Sequence, residues 1–337
     1  MKITVKDIAK ASNVSPATVS NALNNRKGVS DEIKQLVFKV AKELDYFKET
    51  AGDRNTIRFV IFKRHGYVVS DTPFFSSLIE GIEKECRAQG YEMLISHVDM
   101  NDGDYKDTIN NICNDYLSGL LILATEMLPQ DLELFGGNGV PVVLLDNYFR
   151  NSGFDSVLIG NTDAAYKASN YLSSCGHKKI GYLHSSVHIN NFQFRRQGYV
   201  DALNDNGLKV DESLQVFLEP TMEGSYRDMK AALDGGNLVL PTAFFADNDI
   251  IALGAMRALK EKSVRIPEDV SIVGFDDMPF CEITSPRLST IKVFKQEMGS
   301  IAVKRLLEKL NRKSTTVQKI EVETELIIRD SVLKITS

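Results

Sequence analysis

The sequence contains no tryptophan and only four cysteines in its 337 residues. Cys86, Cys113, Cys175 and Cys281 are scattered and form no CxxC pair, which excludes a zinc ribbon and a disulfide framework. Long apolar runs are missing too. The most apolar stretches, GLLILAT (119–125) and VPVVLLD (140–146), fall well short of the roughly 18 residues that a spanning helix needs. The opening MKITVKDIAKASN alternates charged and apolar residues rather than building an export signal, so the expected location is the cytoplasm, with no membrane partner. Motifs of chemistry are absent: there is no GxSxG, no Walker loop and no HExxH. His65, His97, His177, His184 and His188 lack metal-ligand spacing; the last two are four apart, but the residues between them are loop-like after a strand. GGNG (136–139) precedes a strand, whereas a phosphate loop opens a helix. The expectation is a protein that is not an enzyme and holds no cofactor and no metal.

What is present is an ordinary globular composition, 43% hydrophobic and 25% charged, at a length that suits about two domains. The net charge of −5 hides an asymmetry. Residues 1–50 carry nine Lys and Arg against six acids, a balance of +3 that leaves −8 on the rest. A small basic head on an acidic body suits a DNA-reading module joined to a part that must not adhere to DNA.

In the head, Val5, Ile8, Ala9, Val14, Val19, Ala22 and Leu23 form two short helical stripes with a break at Ser12 and Asn13. Thr4 can cap a first helix running through about Ala11. Ser15 followed by Pro16 is a cap with proline at the first helical position. Three residues separate the two helices, the spacing of a helix-turn-helix whose second helix enters the major groove. A third helix is predicted from Ser30 to about Leu44, with Ile33, Leu36, Val37, Val40, Ala41 and Leu44 covering the other two.

The strings VKDIAKASNVSPATVSNALNN and VSDEIKQLVFKVAKELDY resemble the headpiece of the LacI/GalR family of bacterial transcriptional regulators. The resemblance implies that Pro16, Ala17 and Asn21 face base edges. Asn21 suits a bidentate bond to adenine and Ala17 a thymine methyl, while Pro16 positions rather than reads. It also implies phosphate contacts from Thr4, Ser15, Thr18, Ser20 and Asn24, together with Lys6. One part departs from the family: its hinge P-N-x-x-A-R-x-L is replaced by YFKETAGDRN (46–55), which lacks the proline, the Ala-Arg pair and the leucine wedge. A flexible linker and a less strongly bent operator are expected.

From residue 56 apolar strands alternate with helical patterns. Strands are predicted at 57–62, 91–97, 119–124, 140–146, 179–185, 242–247 and 270–276, and helices at 75–89, 161–175, 195–206, 247–261 and 295–310. The pattern restarts near Ile159, so the fold class is α/β: a small helical head followed by two Rossmann-like parallel-sheet lobes. The expected domains are 1–46 (head), 47–56 (linker), 57–159 with 292–319 (first lobe) and 160–291 with 320–337 (second lobe). Ligands of such sheets bind beyond the carboxyl ends of strands.

The resemblance resumes here. DTPFFSSLIEGIE, VVLLDN, CGHKKIGYL, FRRQGYVDAL, ADNDIIALGAMRAL, VSIVGFDD, LSTIKVFKQEMG and ELIIRDS look like effector-domain signatures of the same family, whose fold is shared with periplasmic sugar-binding proteins. It implies effector contacts from Phe74, Phe75, Asp146, Asn191, Arg195, Asn248 and Asp276. Asp146, Asn248 and Asp276 each end or follow a strand, and Arg195 can make forked bonds to vicinal hydroxyls or a carboxylate. Phe75 suits a core position as well as a ligand wall, and Asp146 also suits a turn cap. Asp249 and Asp277 read as helix caps, and His177 as a packing residue. Without tryptophan, the pocket has little stacking surface for a long oligosaccharide.

The implied function is a ligand-responsive repressor that binds a pseudo-palindromic double-stranded operator as a homodimer, with a sugar or related small metabolite as effector. A tetramer is not expected, because only 332–337 follow ELIIRDS and carry no heptads. Two alternatives are a transport solute-binding protein, which would have no use for the head, and a regulator whose effector is a partner protein.

Overall fold

The computed structural model describes residues 3–23, 28–44, 55–69, 73–114, 119–136, 140–236, 238–311 and 316–335. The chain divides into two units, a helical one ending at Asn55 and an α/β one beginning at Thr56. Of the atypical linker at 47–56, only Asn55 and Thr56 lie within the described residues, and Thr56 already opens the first strand.

In the helical unit, α1 (Val5–Ser12) starts at Thr4, whose N–H and hydroxyl both donate to Asp7 Oδ2, at 2.8 and 2.7 Å. Asn13 ends it in the left-handed region (φ 54°), which an Asn tolerates better than most residues. Ser15 then caps α2 (Pro16–Leu23) by accepting the Thr18 N–H at 3.0 Å. With α3 (Asp31–Glu43), the helices close on Ile8, Ala9, Val19, Ala22, Val37, Val40 and Ala41. Leu36 is 43% exposed rather than part of the stripe. Ile33, Val37, Val40 and Leu44 follow one helical line, and Leu36 lies about 70° off it.

The larger unit carries two six-stranded sheets. The first has the order β11-β5-β4-β3-β1-β2, with β1 (Thr56–Lys63), β2 (Glu92–Asp99), β3 (Gly119–Leu123), β4 (Val142–Leu145), β5 (Asp155–Ile159) and β11 (Lys319–Val322), all parallel. The second has the order β12-β10-β9-β8-β6-β7, with β6 (Ile180–Ser185), β7 (Gln215–Leu218), β8 (Ala243–Ala246), β9 (Ser271–Asp276), β10 (Ser289–Val293) and β12 (Thr324–Ile327). Here only the β10–β12 pair is antiparallel. The connecting helices are α4 (Pro73–Ala88), α5 (Tyr105–Asn114), α6 (Asn161–Ser174), α7 (Asn190–Asp205), α8 (Met222–Asp234), α9 (Asp249–Glu261), the short α10 (Phe280–Ile283) and α11 (Lys295–Leu310).

The chain passes between the sheets three times: after β5, after β10 and between β11 and β12. The last two passages fall after Val293 and Val322, a few residues beyond the 292 and 319 read from the sequence, because β10 completes the second sheet and β11 the first. The α7 helix begins at Asn190 rather than 195, and so includes Asn191. Its Gly198 packs so closely on α6 that a Cβ there would lie 2.0 Å from the Thr162 carbonyl oxygen. That close approach sets the distance from which Arg195, one turn earlier, reaches the residues around it.

Candidate functional site

A cavity of about 460 Å³ lies between the two sheets at the carboxyl ends of their strands, within the range of small-molecule sites. Phe74, Phe75, Asp146, Asn191, Arg195, Asn248 and Asp276 all line it. Phe74 and Phe75 meet edge to face at 5.0 Å on the first turn of α4. Phe75 is at once wall and core, since it also belongs to the apolar cluster that runs through both lobes. Ile189, Phe192, Met222, Met278 and Phe280 add to the apolar surface.

The polar side is a continuous chain of hydrogen bonds across the lobes. Asp146, at φ 64° just beyond β4, accepts from the Thr125 hydroxyl at 2.7 Å and from Asn191 Nδ2 at 2.9 Å. Asn191 Oδ1 accepts from Asn161 Nδ2 at 3.3 Å, and Asn161 Oδ1 from Arg195 Nε at 2.8 Å. Arg195 Nη1 donates to the Asp247 carbonyl, Nη2 lies 3.6 Å from Asp276 Oδ1, and the guanidinium stacks 3.6 Å from the Phe275 ring centre. Burial pushes the Asp146 carboxyl up to about 6, and the repulsion of Asp276 adds to this, against the pull of Thr125, Arg195 and Asn191. Burial also raises Asp276, although Arg195 and Lys295 oppose it. Asp276 Oδ1 is buried with no hydrogen-bond partner among the described residues. A buried acceptor of this kind is costly until something donates to it.

The structure also separates structural from ligand-facing acids. Asn248 is the cap of α9, accepting the Ile251 N–H at 2.9 Å. Asp249 is therefore not the cap that its position suggests. It is buried and braces the second sheet, accepting from the Thr290 hydroxyl at 2.5 Å and the Met278 N–H at 2.8 Å. Asp277 likewise caps no helix and takes Arg329 at 2.7 Å. His177 bridges Thr242 and the Leu333 carbonyl, at 3.1 and 3.0 Å. Among the described residues no group of His, Cys, Asp and Glu is placed to hold a metal ion, and no helix is long and apolar enough to cross a membrane.

In the helical unit, Val19 and Ala22 bury one side of α2. The other side leaves Pro16 and Ala17 exposed and Thr18, Ser20 and Asn21 partly so. Ala17 and Asn21, four residues apart, share a face. The Ser15 and Thr18 hydroxyls lie 2.8 Å apart, so only one of them donates to the other. Lys6 is exposed, and Asn24 lies outside the described residues.

Residues 4–49 match the model of bacterial regulatory proteins of the lacI family, and residues 169–332 match the periplasmic binding protein-like domain. The HTH-type transcriptional repressor PurR of Pasteurella multocida is 33% identical over 98% of both chains. The chain belongs to the LacI family. It is a DNA-binding repressor with an effector domain, not an enzyme. A LacI family regulator from Enterococcus faecium with bound ribose is similar in structure, at TM-score 0.71 and 25% identity over 83% of this chain and all of that one. The lac repressor dimer bound to operator and the anti-inducer ONPF shares the fold, at TM-score 0.73 and 24% identity over 99% and 100% of the two chains.

Within this LacI-family frame, sequence reasoning missed four residues that hold the site together: Thr125, Glu126, Asn161 and Asp247. Asp247 ends its strand as Asn248 does, and the strand-end rule would have found it. Its Oδ1 accepts from the Tyr182 hydroxyl at 2.6 Å and its Oδ2 from the Ser185 N–H at 2.7 Å, while burial pushes it up to about 7.

Proposed function

We propose that this cytoplasmic protein represses transcription from a pseudo-palindromic operator as a homodimer, and that a small, polar, ring-shaped metabolite in the interlobe cavity alters its DNA affinity. The observation that carries the effector reading is the buried Oδ1 of Asp276, which faces Arg195 Nη2 at 3.6 Å but accepts no hydrogen bond among the described residues. A ligand hydroxyl or ring N–H would supply the missing donor, and the phenylalanine walls would cover its apolar face. Phe74, Phe75, Asp146, Asn191, Arg195, Asn248 and Asp276 are the proposed contacts. A sugar or related metabolite fits this set, in keeping with the ribose-bound relative. A purine-type base is a second reading, favoured by the PurR relatives and by the aromatic walls.

On DNA, Asn21 and Ala17 are proposed to read bases and Pro16 to set the approach, with Lys6, Ser15, Thr18, Ser20 and Asn24 on phosphates. Thr4 joins them only by giving up its bond to Asp7. Selection of bound duplexes from a random library tests this reading, and a two-fold symmetric motif is expected. Panels of pentoses, hexoses and purine bases, added to the selected operator, test the effector; release or tightening by none of them would refute the cavity's role. In the same selection Asn21→Ala should lose preference at one base pair per half-site, by about 5- to 150-fold for the 1–3 kcal/mol of a bidentate contact. An unchanged motif would remove Asn21 from base reading.

For the dimer, β2 is an edge strand that turns Leu94 and Ile95 outward, 44% and 42% exposed. Ile95, Ile79, Phe75 and Ile61 line a second hollow beside it. An apolar edge of this kind invites a second copy. Ile95→Lys is expected to give monomers in sedimentation at micromolar concentration and to weaken operator binding by about a hundredfold, since the two heads lose their shared tether. A dimer that persists in this variant would place the interface elsewhere.

A further inference from the structure

The segment 64–69, which leaves β1, contributes Gly66, Tyr67 and Val68 to the cavity wall. Its backbone polarity is gathered onto one side chain. Glu126, just beyond β3 and with its side chain fully buried, accepts five backbone N–H groups of this segment. Arg64, His65 and Gly66 donate to Oε2 at 2.8, 3.0 and 2.9 Å, and Val68 and Val69 to Oε1 at 3.0 and 2.8 Å. His65 Nδ1 lies 3.1 Å from Oε1. Next to it the Arg64 guanidinium grips both oxygens of Asp131, which also takes the Leu128 N–H at 2.7 Å. Two carboxylates thus fasten the segment after β1 to the segment after β3.

Burial alone would raise the Glu126 carboxyl, but His65 and the surrounding amides hold it down to about 2. The five amides favour its ionised form. A carboxylate accepts on both edges, whereas a carboxamide presents an NH₂ on one of them. With two or three amides converging on each oxygen, no neutral side chain of the same shape satisfies this arrangement. Five of the segment's N–H groups thus turn to Glu126, while Gly66, Tyr67 and Val68 line the cavity.

We propose that Glu126 is a positioning residue for effector recognition: it holds residues 64–69 as a preformed wall of the cavity before any ligand arrives. The wall rests on the reading of the cavity as an effector site; the fastening by Glu126 does not. Thr125, its neighbour, donates to Asp146 beyond the adjacent strand β4, so the β3 end contributes to the first-lobe surface of the cavity at two places.

Amide hydrogen exchange of the full-length, unliganded protein tests the fastening. The amides of Arg64, His65, Gly66, Val68 and Val69 should exchange at least about a hundredfold more slowly than in a free chain. Glu126→Gln should abolish that protection while leaving the amides of β1 and β3 as slow as before. Glu126→Asp keeps the charge but is one methylene shorter, and should restore protection in part; it also serves if the glutamine variant does not fold. Free exchange at these amides in the unliganded wild type, or protection unchanged in Glu126→Gln, would overturn the proposal. Ribose and hypoxanthine then probe the wall by titration calorimetry. A probe that binds the wild type should bind Glu126→Gln at least about tenfold more weakly, and equal binding would also overturn the positioning role. If neither probe binds the wild type, the effector reading loses support while the exchange pattern still decides the role of Glu126.

Discussion

Arg195→Ala is expected to eliminate the effector response while operator binding by the separate helical unit persists. In the native cavity the guanidinium bonds Asn161 and the Asp247 carbonyl, stacks on Phe275 and faces Asp276. Removing it takes the Arg195 cation from both Asp146 and Asp276, leaving Lys295 near Asp276 alone, and breaking a buried pair in this way costs about 3–5 kcal/mol. At roughly 2–4 °C per kcal/mol for a unit of this size, the midpoint of the α/β unit should fall by about 10 °C. Arg195→Lys keeps the charge but loses the fork and the flat stack, so stability should largely return while the effector response does not. Scanning calorimetry beside operator release checks both. A full response in the lysine variant would show that the residue supplies charge alone.

Asp155→Ala should be the most destabilising change outside the cavity. Asp155 and Arg305 are each 1% exposed, with Oδ1 accepting from Arg305 Nε at 2.7 Å and from the Gln318 N–H at 2.8 Å, and Lys309 Nζ 2.7 Å from Oδ2. Through these contacts β5 holds both α11 and the approach to β11. The variant leaves the Arg305 cation buried, with Glu308 as its remaining acid partner, at a cost again of about 3–5 kcal/mol. Burial would raise the Asp155 carboxyl, but Lys309, the Gln318 amide and Arg305 outweigh it and bring it below its ordinary value. A carboxyl lowered in the fold contributes stability above its unfolded pKa of about 3.9 and loses it as pH falls through the folded value. The gap between wild type and variant should therefore be constant from pH 5 to 8 and shrink below about 4 in urea unfolding followed by circular dichroism. A gap independent of pH would mean that packing, not charge, had been lost.

Much of this architecture is legible from composition and period. β3 is an unbroken apolar run, and β1 and β9 are mostly apolar with Arg58 the one charge inside β1, because a central parallel strand is covered on both faces. The strands that escaped notice are mostly short or lie at or near sheet edges. β11 reads Lys-Ile-Glu-Val with one wet face, and β7 leaves Phe217 65% exposed, so neither shows the fully apolar signature. Asp146, Asn248 and Asp276 were findable because strand ends aim into the cleft, and Phe74, Asn191 and Arg195 came from the family resemblance. Glu126 was not findable. In Thr-Glu-Met-Leu-Pro it resembles any surface acid, and its partners are main-chain amides some sixty residues upstream that no side-chain pattern announces.

The threefold passage of the chain between the sheets has a consequence for synthesis. The outer strand β11 of the first sheet comes from 319–322 and the outer strand β12 of the second from 324–327, so both sheets wait for residues made after all their other strands. Neither lobe can finish while the ribosome still holds those residues, although the strands of the first lobe up to β5 emerge before residue 160. Until then β5 and β10 each expose an open, hydrogen-bonding edge, the kind of surface that pairs with strangers. For a growing chain of this topology, the dangerous interval is set by the time taken to translate residues 160 to 327, and it ends for both lobes almost at once.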